Sequence, residues 1–376
     1  MSSKLTRVIL TPSAVFLSVL FGGAFGSGRE VVQFMSRHGP VGGFLSIGTI
    51  ALVYAACLFL SFEIARIYRT HEYRGFYKLL LGRGWFVYEI VITLTMVATL
   101  AICASSSGAV LQSHFGVPLR IGEAVLLLLV VAINYGGRDL VERSMRYSVL
   151  ALALILIALL VIVISSHGQA LAGAFEDASS VPGALRDGLK YAITNAGLIP
   201  LLLFCGTQLE SRGEALVAAV FAGSAAVAPA VCFHLTFLVE YPRVLGEVLP
   251  TYFMMERLTS PLFLDAYVLV LFVMIAQTGV GLLRGAIERV DRWSQERAGA
   301  PMGRLSHAGL SGVALLASMA LASIGLVDLI AQAYNYLSII FTLIFVLPLL
   351  IVGIPKIMHG NSYSKTPSGP GENEAA

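Results

Sequence analysis

Between Phe21 and Glu30 the sequence places Gly22, Gly23, Gly26 and Gly28 beside Ala24 and Ser27, directly before the adjacent charges Arg29 and Glu30. The chemistry such a stretch offers is that of the backbone. If a helix breaks here, the N–H groups around Gly26, Ser27 and Gly28 open its second half. They would suit a carboxylate, aided by the helix dipole, and glycine lets a ligand approach closely. The carbonyls of Gly22, Gly23 and Ala24 close the first half and would suit a cation or an ammonium group. A helix with a glycine-rich packing face that simply ends at Gly28 is the other reading of this stretch alone.

Side chains that could join this chemistry are few. Ser106 sits within Ser105-Ser106-Ser107-Gly108, and Gln277 precedes Thr278-Gly279. Each hydroxyl or amide of this kind commonly ties one helix to another. Glu30 is the one carboxylate next to the glycine cluster. At about 1.5 Å per helical residue from Val8 it falls near the outer interface, in a vestibule. Glu63, Glu89, Glu123 and Asp265 read as interfacial, and His234 as a packed polar residue. No metal-ligand spacing, phosphate loop or nucleophile–base–acid set appears, which argues against an enzyme.

The elements that must hold these residues are membrane helices. The 376 residues are 57% hydrophobic and 12% charged, about half the charged share of a soluble domain. Apolar runs of membrane-crossing length recur. The net charge of +3 gives no nucleic-acid reading, the bilayer is the expected surroundings, and nothing specifies an oligomeric state. Cys57, Cys103, Cys205 and Cys232 all lie in apolar runs and read as small core residues. No cleavable leader is expected at the start of the sequence.

Ten spans are predicted: 8–36 (broken), 41–68, 85–115, 121–135, 141–166, 189–209, 214–239, 261–283, 305–325 and 326–353. With both termini in the cytoplasm, only Arg29, Arg37, Arg120, Arg186, Lys190, Arg243 and Arg257 of the 25 basic residues fall outside, as the positive-inside rule requires. Amphipathic connections follow spans two and seven, and tight ones follow four and nine. The rhythm divides the chain into residues 1–187 and 188–359, with a Gly, Ser, Pro and Glu-rich tail over 360–376 that reads as disordered. Five spans per half makes the repeat inverted. The echo of Gly136-Gly137-Arg138-Asp139-Leu140 in Gly325-Leu326-Val327-Asp328-Leu329 agrees, with Asp139 and Asp328 expected as helix caps.

Span six is then the partner of span one. It reads Tyr191-Ala192-Ile193-Thr194-Asn195-Ala196-Gly197-Leu198-Ile199-Pro200. Pro200 lacks a donor and its ring clashes one turn back, Gly197 loosens the same turn, and Asn195 competes for backbone hydrogen bonds. A second break is expected here, lined by Thr194, Asn195 and Gly197.

Gly23-Ala24-Phe25-Gly26-Ser27-Gly28-Arg29-Glu30 with Gln33-Phe34 resembles the first-span motif of the YkvI-like putative amino-acid permeases. Tyr191 with Asn195, and Ser211-Arg212 before Glu214-Ala215-Leu216, resemble that family's sixth span and its exit. Arg29 stands where the family tends to have glutamine. The resemblance implies an all-α LeuT-like inverted repeat of the amino acid–polyamine–organocation superfamily. It also implies a bacterial inner-membrane transporter of a small amino-acid-type substrate, with spans one, two, six and seven moving against the rest. A solute sensor on the same fold is the alternative. No cofactor is expected beyond a coupling ion. The Ala24 carbonyl, Thr278 and Gln277 make a thin ligand set for Na+, so a proton carried by Glu30, or movement without an ion, is favoured.

Overall fold

A computed structural model describes residues 2–20, 23–136, 138–176, 182–298 and 302–363. Gly22, the side chain of Asp139 and the tail beyond residue 363 lie outside the described residues.

Among the described residues the architecture is helical throughout. Five stretches are long and apolar enough to cross a membrane alone. They begin at Arg29, Tyr73, Arg212, Pro261 and Leu326, and two bent pairs raise the count to seven. Thr6–Leu20, Leu119–Gly136 and Ser306–Ala322 supply the remaining apolar helices, giving the ten-span order anticipated from sequence. Span two is Gly39–Tyr68, three Phe86–Phe115, four Leu119–Gly136, five Arg138–Ser166 and seven Arg212–Leu238. Span eight, Pro261–Ala298, runs well past the predicted end at 283 because Glu288, Asp291 and their neighbours continue the helix into water. Span nine is Arg304–Ala322, and span ten starts at Leu326.

Short helices follow spans two and seven, Tyr73–Leu81 and Pro250–Leu258, where the amphipathic connections were read. One element was not foreseen. Span five turns by 79° into Gly168–Glu176, an apolar-faced helix that sequence alone gives no reason to separate from a loop.

Close backbone approach builds the packing. A Cβ on Gly223 of span seven would lie 2.9 Å from the Ala55 nitrogen of span two, and one on Gly188 of span six 2.8 Å from the Ser46 carbonyl oxygen. Small residues let membrane helices approach this closely and gain dispersion contact along their length. Spans two, six and seven are fastened together in this way, while Gly108 and Gly122 do the same for spans three and four. His234 fills a notch in span two, where a Cβ on Gly43 would come within 2.2 Å of its ring. Its Nε2 donates to the Pro40 carbonyl at 3.0 Å, which leaves Nδ1 to accept from the Ser36 hydroxyl at 2.9 Å. The histidine is thus a packed and fully bonded strut, as its sequence context suggested.

Candidate functional site

Span one does break. Helix Thr11–Leu20 and the turn Gly23–Gly26 give way to Ser27-Gly28, and a new helix runs over Arg29–Phe34. Gly28 makes the break at φ 80°, a left-handed conformation that L side chains resist. Span six breaks differently. Helix Ala184–Ala196 stops at a Gly197-Leu198 turn, and a 3-10 segment, Ile199–Gly206, leaves at 61°. Pro200 lies inside that segment, so this is a change of helix type and direction and not a proline kink in one continuous helix.

The two breaks meet through Glu30 and Tyr191. Glu30 is only 6% exposed, and its Oε2 accepts from the Tyr191 hydroxyl at 3.1 Å. The Tyr334 hydroxyl of span ten faces the same carboxylate. Tyr191 and Tyr334 stack at 5.4 Å, and Phe34 packs on both. The expectation of an outer vestibule for Glu30 is therefore corrected: the carboxylate points into the protein. A count along the chain gives no information on which way a side chain faces, and here Glu30 faces spans six and ten.

The free backbone groups predicted at the first break are mostly engaged. Gly28 donates to the Phe25 carbonyl at 2.9 Å, and the Arg29 N–H to the Ser27 hydroxyl at 3.3 Å. The Gly26 carbonyl accepts from the Tyr267 hydroxyl of span eight at 3.1 Å, and the Ser27 carbonyl from the Thr251 N–H at 3.1 Å. Nor does Gly28 leave room for a ligand. A Cβ there would lie 2.4 Å from the Thr251 hydroxyl oxygen and 2.5 Å from Phe237. Gly23 and Ala24 keep to the helical turn that precedes the break.

At the second break the Gly197 carbonyl accepts from the Tyr88 hydroxyl of span three at 3.0 Å. Thr194 donates to the Lys190 carbonyl at 2.9 Å and the Tyr334 carbonyl at 3.3 Å, and the Asn195 amide donates to the Tyr191 carbonyl at 3.0 Å. On span eight, Thr278 donates to the Met274 carbonyl at 2.9 Å, and Gln277 accepts from Ser148 at 2.6 Å. By contrast, the hydroxyls of Ser106 and Ser107 are buried without a hydrogen-bond partner in the protein, while the Tyr54 hydroxyl faces Asn195. Buried polar groups are rarely left so, and a bound solute or water is the usual complement. Sequence reasoning reached Ser106 but missed Tyr54, Tyr88, Tyr191's role toward Glu30, Tyr267 and Tyr334.

Glu63 and Glu123 have arginine partners. Each sits near a span end, yet both side chains are fully buried. Arg66 holds Glu63 through two bonds of 2.8 and 2.9 Å, and Arg120 reaches Glu123 at 3.2 Å.

The connection after span seven covers the Arg29 end of the site. Arg29, buried, donates to the main-chain carbonyls of Leu245 and Glu247 at 3.1 and 2.7 Å, and to Gln33 at 2.9 Å. These bonds pin the second half of span one to the connection after span seven. The Tyr252 hydroxyl in that connection reaches the Ser113 carbonyl at the C-terminal end of span three at 3.3 Å. The first half packs chiefly on span seven and the 3-10 half of span six, with Lys4 and Arg7 paired to Glu214. Gly23–Gly26, just beyond, packs instead on spans eight and three.

No family description and no curated protein matches the sequence. Among solved structures the fold is similar to that of MhsT in complex with L-phenylalanine. The TM-score is 0.59 and the identity 18%, over 89% of this chain and 87% of that one. A Na+-coupled sialic acid symporter in its substrate-bound outward-open state aligns at TM-score 0.49 and 12% identity, over 92% and 86% of the two chains. A manganese transporter of Eremococcus coleocola aligns at 0.46 and 13%, over 96% and 89%. The fold is LeuT-like: an all-α, multi-pass membrane architecture with broken first and sixth spans.

Proposed function

We propose that this protein is a secondary-active transporter of small polar solutes, of amino-acid type, working by alternating access in a bacterial-type inner membrane with both ends in the cytoplasm. The observation that carries the reading is the junction of the two broken spans at Glu30 and Tyr191, with unpartnered hydroxyls of Ser106 and Ser107 buried in span three. Broken helices facing each other at depth are the construction by which transporters of this architecture form a site. The motif resemblance to YkvI-like permeases supports an amino-acid-type substrate, and the likeness to a fold solved around L-phenylalanine is in keeping with it.

Glu30 is the group we assign to coupling. As a carboxylate it receives the Tyr191 hydroxyl and ties the outer half of span one to span six. Protonation removes the charge that holds this bond and loosens the tie, so proton uptake and rearrangement of the breaks are linked. A Na+ site on span eight has a thin ligand set, because Gln277 Oε1 already accepts from Ser148 at 2.6 Å and Thr278, whose proton goes to the Met274 carbonyl, is the one hydroxyl beside it.

Purified protein in liposomes, given a panel of labelled amino acids under an imposed pH gradient or an imposed Na+ gradient, tests both parts. Accumulation driven by the pH gradient and lost in Glu30→Gln is expected. Saturable binding with no accumulation under either gradient would make the protein a sensor. Accumulation driven by Na+ alone and unchanged in Glu30→Gln would overturn the assignment of Glu30.

A further inference from the structure

The two tryptophans of the chain, Trp85 and Trp293, line one groove of about 790 Å³, far from the broken helices in sequence. It lies where the start of span three, the short helix after span two and the extension of span eight come together, on the side that the basic residues mark as cytoplasmic. Its lower wall is a stripe of span three, Phe86, Ile90 and Leu94, each more than half exposed and spaced four residues apart. In a membrane protein such a stripe faces acyl chains. Its upper rim is charged. Glu89 accepts from Arg74 at 2.7 Å, Arg289 at 3.0 Å and the Tyr73 hydroxyl at 2.9 Å, so its two oxygens are fully engaged in holding the arginines. Arg74 also bonds Glu296, which is half exposed at the mouth. The Nε of Arg289 is buried with no partner. Trp85 carries Arg74 and Lys78 over its ring at 5.5 and 5.2 Å, at the level where tryptophan marks the membrane interface.

We infer that this groove is a specific site for one phospholipid whose headgroup carries both a phosphate and a primary ammonium, of the phosphatidylethanolamine class. The phosphate sits on Arg74 and Arg289 in place of Glu296, the released Glu296 takes the ammonium, and one acyl chain follows Phe86, Ile90 and Leu94. Guanidinium suits phosphate through parallel N–H donors. The rim holds both signs of charge, so a headgroup of both signs complements it better than a purely anionic one. A primary ammonium donates hydrogen bonds to a carboxylate, whereas a choline headgroup cannot. The inference does not depend on what the protein transports.

The test is native mass spectrometry of the full chain released from mixed micelles containing equal amounts of phosphatidylethanolamine, phosphatidylcholine and phosphatidylglycerol with identical acyl chains. One retained phosphatidylethanolamine, favoured about threefold over phosphatidylcholine, is expected, the worth of one interfacial ion pair. Glu296→Gln should abolish that preference, and Trp293→Ala should lower retention of every lipid. A photoactivatable phosphatidylethanolamine should crosslink to peptides spanning 85–94 or 289–296 in wild type and less in Trp293→Ala. Equal retention of the three lipids by wild type overturns the proposal. So does a preference for phosphatidylglycerol, a preference unchanged in Glu296→Gln, or crosslinking confined to other spans.

Discussion

The two broken spans solve the same problem by opposite means. At Ser27-Gly28 the helix is interrupted by a left-handed residue, and neighbouring helices supply the hydrogen bonds that the break gives up. At Gly197-Leu198 the backbone stays right-handed, with Gly197 at φ −57°, and only tightens into a 3-10 segment. The first break therefore needs glycine for its backbone and for space. The second needs it for space alone, because a Cβ on Gly197 would sit 2.4 Å from the Phe341 ring. One break is a fixed corner; the other is a softened turn whose geometry a neighbour can adjust.

Gly28→Ala should have the largest effect. A left-handed alanine costs about 1–2 kcal/mol, and crowding against Thr251 and Phe237 adds about 1–3 kcal/mol. Thermal unfolding in detergent should fall by several degrees, and Phe237→Ala in the same chain should not restore it, since the backbone term remains. Restoration by Phe237→Ala would make the first break a matter of space, like the second. Gly197→Ala should cost about 1–3 kcal/mol through crowding. Combined with Phe341→Leu it should recover most of that loss; a double variant no better than the single would show a backbone requirement at Gly197 as well.

Smaller effects separate the sources of the hydrogen bonds. Tyr267→Phe and Tyr88→Phe each leave a buried carbonyl without its hydroxyl donor, at about 1–3 kcal/mol. The Gly197 carbonyl depends on Tyr88 for a definite reason: the residue three positions on, which would donate in a 3-10 turn, is Pro200, and it has no N–H. The smallest and sharpest test is the cycle of Tyr88→Phe with Pro200→Ala. Pro200→Ala alone should change stability by less than about 1 kcal/mol while impairing uptake with normal expression. In its presence Tyr88→Phe should become cheaper, because residue 200 then carries a donor. Strict additivity in the melting data would mean that the tyrosine and the proline act independently.

The positions of both breaks were legible in the sequence, since glycine clusters and an intramembrane proline act through local backbone chemistry. Span order was legible too, because long apolar runs are the direct signature of membrane helices. The partners of the breaks were not. Tyr88, Tyr267 and Tyr334 sit in apolar runs that any packed helix shows, and only the register between distant spans reveals which carbonyl or carboxylate each meets. Glycine was also misjudged in kind at Gly28: closeness of approach was read as room for a ligand, yet Phe237 and Thr251 occupy that room. The open surroundings assigned to Glu30 were wrong because its burial is supplied by spans six and ten, which only the fold brings to it.

Arg29 anchors to the oxygen atoms of Leu245 and Glu247 that belong to the main chain, not to their side chains. Every amino acid presents that same oxygen, so substitution at either position leaves both acceptors in place. The connection after span seven is therefore free to change its residues over evolutionary time without releasing span one, whereas a single inserted or deleted residue before Pro250 would carry both oxygens out of reach. Sequence drift and length drift in this loop should have entirely different consequences, the first silent and the second unlatching span one.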